Sequence, residues 1–128
     1  MPVKITALYV ALHAILLLLL AVLVMLQRGR HKVGLGDGGH DALSRAIRAH
    51  GNAVEYVPIA LLLMLVYELN GGASAVLHGC GLLLLASRLA HAWGLSQSAG
   101  ESPGRAAGVA GTFIASGILI VANLLRVW

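Results

Sequence analysis

Residues 48–58 read RAHGNAVEYVP. A guanidinium, an amide, a carboxylate and a phenol stand here within three turns of one helix, at Arg48, Asn52, Glu55 and Tyr56. At about 100° per residue, Arg48, Asn52 and Glu55 fall within roughly a 60° arc. Asp41 and Arg45 extend the same stripe, whereas His50 points to a different side. The next residues, IALLLMLVY, have the composition of a membrane interior, where ionisable groups are expensive. A polar stripe on such a helix must face protein or a water-filled cavity, because lipid cannot satisfy it. Pro58 removes one backbone donor and disturbs the bond that would reach Val54, so a bend is expected just beyond Glu55.

A second polar patch answers the first. Arg88 and His91 are three residues apart and share a helix face. Arg88 lies at a depth comparable with Glu55, Arg105 opens the last apolar run and Arg28 closes the first. Arg28, Arg48, Arg88 and Arg105 therefore converge on one side of the membrane, with Glu55 as the single deep carboxylate. One reading is that these charges pair across a bundle, Glu55 with Arg48 or Arg88, since a lone buried carboxylate takes up a proton instead. Four arginines against one or two acids leave a surplus of positive charge. That surplus suits an anionic ligand, best one whose carboxylates meet guanidinium groups two bonds at a time.

These side chains need long apolar elements to hold them. The chain has 128 residues, of which 59% are apolar and 11% charged, against about 25% charged in soluble proteins. A helix crossing the hydrocarbon needs roughly 20 apolar residues. Four runs meet that, at about 5–27, 47–69, 73–95 and 106–127, forming a single four-helix transmembrane domain with a basic loop at 28–44. A transmembrane β-barrel would show alternating polarity, which these continuous Leu and Ala runs lack. The first run is longer than a signal core and no small-x-small cleavage site follows it, so it reads as a retained helix. Arg28, Arg30, Lys32 and Arg105 lie on one side, so that side is expected in the cytoplasm and both termini opposite. The net charge of +4 follows from the same residues and calls for no nucleic acid.

Weaker signals fit this frame. Residues 34–39 spell GxGxxG, but without a preceding strand they read as a flexible connector. Asp41 or Ser44 is placed to cap the second helix. Gly104/Gly108, Ala107/Gly111 and Gly111/Ala115 form small-xxx-small pairs for close helix packing. Trp93, Trp128, Tyr9 and Tyr67 sit near span ends, as in an interfacial aromatic belt. Cys80, the one cysteine, reads as an inert packing residue.

The stretch Arg48, Asn52, Glu55, Tyr56 and Pro58 resembles the second-helix signature RxxxNxxEYxP of the MAPEG family, membrane-associated proteins of eicosanoid and glutathione metabolism. The resemblance covers nearly the whole chain: four spans, a basic first loop, Arg88 and His91 on the third helix, and Pro103-Gly-Arg105 opening the fourth. It implies an all-α homotrimer of four-helix subunits, with glutathione bound between neighbours on the cytosolic side. In that arrangement Arg48, Asn52, Glu55 and Tyr56 help hold the tripeptide, Glu55 taking its amino group. Arg28 and Arg30 meet a glutathione carboxylate, His50, Arg88 and His91 face the ligand, and Arg105 stabilises the thiolate.

The implied chemistry is direct. A thiol with pKa near 8.5 is mostly protonated at neutral pH, and the thiolate is the nucleophile. A guanidinium beside sulfur lowers that pKa. The implied activity is that of a glutathione transferase or peroxidase acting on lipophilic substrates from the bilayer, with glutathione as cosubstrate and no metal. Three positions depart from active members: Gly51 replaces an arginine, Leu95 a tyrosine and Ala106 a serine. The alternatives are a non-catalytic lipid- or glutathione-binding protein on the same fold, and a small proton-coupled multidrug exporter using Glu55. The surplus of arginines argues against the cationic substrates of such an exporter. A bacterial inner membrane is the expected location.

Overall fold

The computed structural model describes residues 2–98 and 100–127; Trp128, assigned above to the aromatic belt, lies outside them. The chain forms α1 (Lys4–His31), α2 (Asp41–Leu69), α3 (Ser74–Gln97) and α4 (Pro103–Val127). All four are long and apolar enough to cross a membrane. Even α3, at 24 residues, reaches about 36 Å at about 1.5 Å per residue, more than a hydrocarbon core of about 30 Å. α2 touches each of the other helices, whereas α1 and α4 do not meet among the described residues. α2 and α3 thus form the centre, flanked by α1 on one side and α4 on the other. The outward faces carry Leu18, Met25, Ile59, Phe113 and Ile114, all exposed. Such a surface is stable against lipid and would be an aggregation liability in water.

Helix ends differ from the hydropathy boundaries because polar turns continue the helices beyond the hydrocarbon. α1 runs on to His31, so Arg28 and Arg30 belong to its last turn rather than to a loop. Their charges complement the negative end of the helix dipole. α2 starts at Asp41, which narrows the connection from the expected 28–44 to residues 32–40. Lys32 (φ 54°) ends α1 in the left-handed conformation, and Gly36, Gly38 and Gly39 (φ 67°, 57° and 78°) carry the turn. The Gly39 N–H donates to the Asp37 carboxylate at 2.9 Å, which holds that carboxyl below its ordinary pKa. The N-cap of α2 is His40, with no side-chain cap bond, so neither Asp41 nor Ser44 caps the helix as expected. Asp41 instead sits in the first turn and pairs with Arg45 (3.1 Å). α2 continues through Pro58 as one helix.

Three apolar clusters fill the bundle. Tyr9, Met64, Tyr67, Leu77, Cys80 and Leu119 pack near the termini. Ala60, Leu84 and Ala115 pack at mid-depth. Leu16, Leu20, Ala49, Ala53 and Leu95 pack toward the α1–α2 loop. Cys80 is a packing residue, as its sequence context indicated. Trp93 is exposed, as a belt residue should be, but Tyr9 and Tyr67 are buried. Tyr9 turns its hydroxyl to His78 (3.1 Å to Nδ1, 3.2 Å to the carbonyl), and the Tyr67 hydroxyl accepts the Ala73 N–H. Proximity to a span end could not distinguish a headgroup aromatic from a core aromatic with a satisfied hydroxyl. Glu68 closes the other end of the α1–α2 pair. Its oxygens accept the Ile5 and Thr6 N–H groups (3.0 and 2.7 Å) at the start of α1, which has no side-chain cap of its own.

The small-residue pattern of α4 is used against α3. A Cβ on Gly108 would meet the Ser87 carbonyl oxygen at 2.6 Å and the His91 Cβ at 2.5 Å, while one on Gly111 would meet the Ser87 side chain. Gly108→Ala is expected to cost about 1–3 kcal/mol, since backbone stands in the way and must shift. A fall in the thermal midpoint in detergent, larger than for Gly117→Ala at a position with open space, checks this.

Candidate functional site

Arg88 organises the interior near the loop-bearing end. It is only 2% exposed and reaches three helices. Its Nη2 donates to Asn52 Oδ1 of α2 at 2.6 Å and contacts His91 Nδ1 at 3.3 Å, one turn further along α3. Its Nη1 donates to Thr112 Oγ1 of α4 at 3.4 Å, and that hydroxyl donates onward to the Gly108 carbonyl at 2.7 Å. None of these partners is a carboxylate. A guanidinium taken out of water costs several kcal/mol, and neutral acceptors offset this less than a carboxylate does. Arg88 is thus buried with hydrogen-bond partners but without a carboxylate to pair with.

Those two residues line a recess of about 560 Å³ between α2, α3 and the start of α4. Glu101, Ser102 and Arg105 complete its polar wall, with Ala106, Val109 and Ala110 on the apolar side. Local rules place Arg105 there. Ser102 precedes Pro103, the first helical residue, and its Oγ accepts the Arg105 N–H at 3.2 Å. Arg105 thus projects from the first turn of α4, where the positive end of the helix dipole favours anions. Its guanidinium donates to the Gly100 carbonyl at 2.5 Å.

The rest of the polar stripe lies on the outer face of α2. Arg48 and Glu55 approach to 3.8 Å, with side chains 61% and 54% exposed. Glu55 therefore pairs with Arg48, while Arg88 takes Asn52. Tyr56 is half-buried and meets the Phe113 ring edge-to-face at 5.6 Å.

Not every predicted site residue joins the recess. The Arg28 guanidinium donates to the Gly36 and Val33 carbonyls (2.8 and 3.4 Å), pinning the loop. Arg30 is exposed at the end of α1, and His50 is half-buried and is not among the recess residues. Asn52, His91 and Arg105 come together, Arg88 stands behind them, and Arg48 and Glu55 continue the surface outward. Thr112, Ser102 and Glu101 were missed. The Ser-Pro pair was a readable helix start, but Thr112 gave no signal beyond being a polar residue in an apolar run. A larger apolar concavity, about 850 Å³, lies at the opposite end. The one charge on its wall, Arg126, is bound to the Asn70 carbonyl at 2.8 Å and lies over the Tyr67 ring, so the reactive side chains are elsewhere.

Four spanning helices with this recess at one end agree with the comparison of sequences: the MAPEG family model matches residues 6–125, and the chain belongs to the MAPEG family. It is similar to the inner membrane protein YecN of Escherichia coli K12, being 42% identical over 120 residues that cover 94% of this chain and 90% of that protein. YecN from Escherichia coli O6:H1 strain CFT073 matches to the same extent.

Proposed function

We propose that this protein binds glutathione and activates its thiol as a membrane-bound glutathione transferase of the inner membrane. The observation that carries the reading is the recess where Asn52, His91 and Arg105 meet beside the Arg48–Glu55 pair. It offers guanidinium groups for carboxylates, a carboxylate for an ammonium, and Arg105 for the sulfur. In the reaction the bound thiol loses its proton to water, the sulfur forms a bond to an electrophilic carbon, and the leaving group departs with its electron pair. Reduction of a lipid hydroperoxide by two glutathiones, giving the disulfide, an alcohol and water, uses the same thiolate.

A charged pair exposed on a spanning helix has no stable place against lipid. Assembly into a homotrimer covers it and lets Arg28 and Arg30, which stand apart from the recess of their own chain, reach it from the next. The first loop faces the cytoplasm by the distribution of basic residues, with both termini opposite. A second reading, glutathione or lipid binding without turnover, is favoured by Leu95. Where active relatives carry a tyrosine, this side chain is buried in the apolar cluster with Leu16 and Leu20.

Calorimetric titration of glutathione separates these proposals from a purely structural role. Wild type is expected to bind, and Glu55→Ala to bind about 10- to 100-fold more weakly, the range for loss of one charge-assisted hydrogen bond. Equal affinity for the two proteins would remove Glu55 from the site, and no heat from wild type would remove glutathione.

A further inference from the structure

A guanidinium has donors only and stays protonated in proteins. When the Arg88 Nη2 stands 3.3 Å from His91 Nδ1, that ring nitrogen must be an unprotonated acceptor. The imidazole proton is then on Nε2, and an imidazolium would turn an N–H against a positive charge. The same Nη2 donates to Asn52 Oδ1 at 2.6 Å, which leaves the amide NH2 as the end of Asn52 not engaged by Arg88. Both residues line the recess that also contains Arg105. Arg88, at 2% exposure, is behind them and does not line it.

We propose that Arg88 is a positioning residue that fixes Asn52 and His91 as hydrogen-bond donors toward the recess, so that with Arg105 they form a three-donor anion hole. This rests on the glutathione reading above and assigns His91 the role of obligatory donor rather than base. The anion received is a carboxylate or the thiolate of glutathione, and the thiol proton leaves directly to water. Buried donors fixed in advance stabilise an anion without reorganising when it forms. That gives a reason to keep a guanidinium without a carboxylate partner inside a membrane protein.

The test uses the full chain in lipid nanodiscs, labelled with ¹⁵N-histidine, with the His91 signals assigned by their loss in His91→Gln. Without glutathione, His91 is expected as the Nε2–H tautomer throughout roughly pH 6 to 8, the range in which an ordinary histidine titrates. In Arg88→Met the ring is expected to titrate or to mix tautomers. Glutathione affinity should fall about 10- to 100-fold in His91→Leu, the range for loss of a hydrogen bond to a charged group. His91→Gln keeps an N–H donor and should recover most of that loss. An Nδ1–H or imidazolium form in wild type overturns the proposal, as does His91→Gln binding as weakly as His91→Leu. A wild type that binds no glutathione defeats the function itself. The tautomer in the free protein still shows whether Arg88 holds His91, so the two failures are told apart. If His91→Leu does not fold, wild-type spectra and the His91→Gln affinity decide.

Discussion

On the proposed reading, Arg105→Ala is expected to lower the thiolate fraction of bound glutathione at pH 7 by about 8- to 30-fold, with glutathione still bound. A thiol with pKa about 8.5 is only about 3% ionised at pH 7, and a positive charge in contact lowers such a pKa by about 1–3 units. Arg105 is the natural source of that charge. It projects from the N-terminal turn of α4 into the recess, where the helix dipole adds to its field. Its removal raises the thiol pKa, so the ultraviolet thiolate signal of the complex moves to higher pH and returns only in alkaline solution. Arg105→Lys keeps the charge but not the planar fork, and should restore part of the shift. A thiolate signal unchanged in Arg105→Ala assigns activation elsewhere.

Arg88→Met is expected to separate stability from binding. Methionine has similar reach without charge, and replacing a buried ion by a well-packed apolar side chain is often neutral or stabilising by about 1–4 kcal/mol. Asn52, released from its 2.6 Å bond, still borders the open recess and can be hydrated there. The thermal midpoint should hold or rise while glutathione affinity falls at least about tenfold, the worth of a hydrogen bond to a charged group. Loss of both together would make Arg88 a structural residue only. Retention of both would show that Asn52 and His91 need no support.

The architecture was legible because hydrophobic length is a direct requirement of the bilayer. The four runs lie where composition placed them, although α4 starts at Pro103, as the resemblance implied, rather than at residue 106. The stripe of Arg48, Asn52 and Glu55 was legible from angular spacing alone. Partner choice was not. Depth counting set Arg88 level with Glu55, but a depth does not say on which side of α2 a guanidinium arrives, and Arg88 meets Asn52 on the inner side. Helix ends were misplaced because hydropathy ceases to mark a helix once it leaves the hydrocarbon, as at Asp41 and His31. Glu68 illustrates a further limit. Its task at the start of α1 depends on which ends of two helices meet, and no spacing along one helix carries that information.

The glycine contact between α3 and α4 has a mechanical meaning. Where backbone lies on backbone there is no rotamer to adjust, so sliding or tilting would break the fit all at once. His91 and Arg105, one on each helix, therefore travel as a single rigid plate. α2 rests on that plate through side chains, with Asn52 on Arg88 and Tyr56 on Phe113, and these contacts can be remade. Relative movement at this end of the bundle is therefore expected between α2 and the α3–α4 pair rather than within that pair.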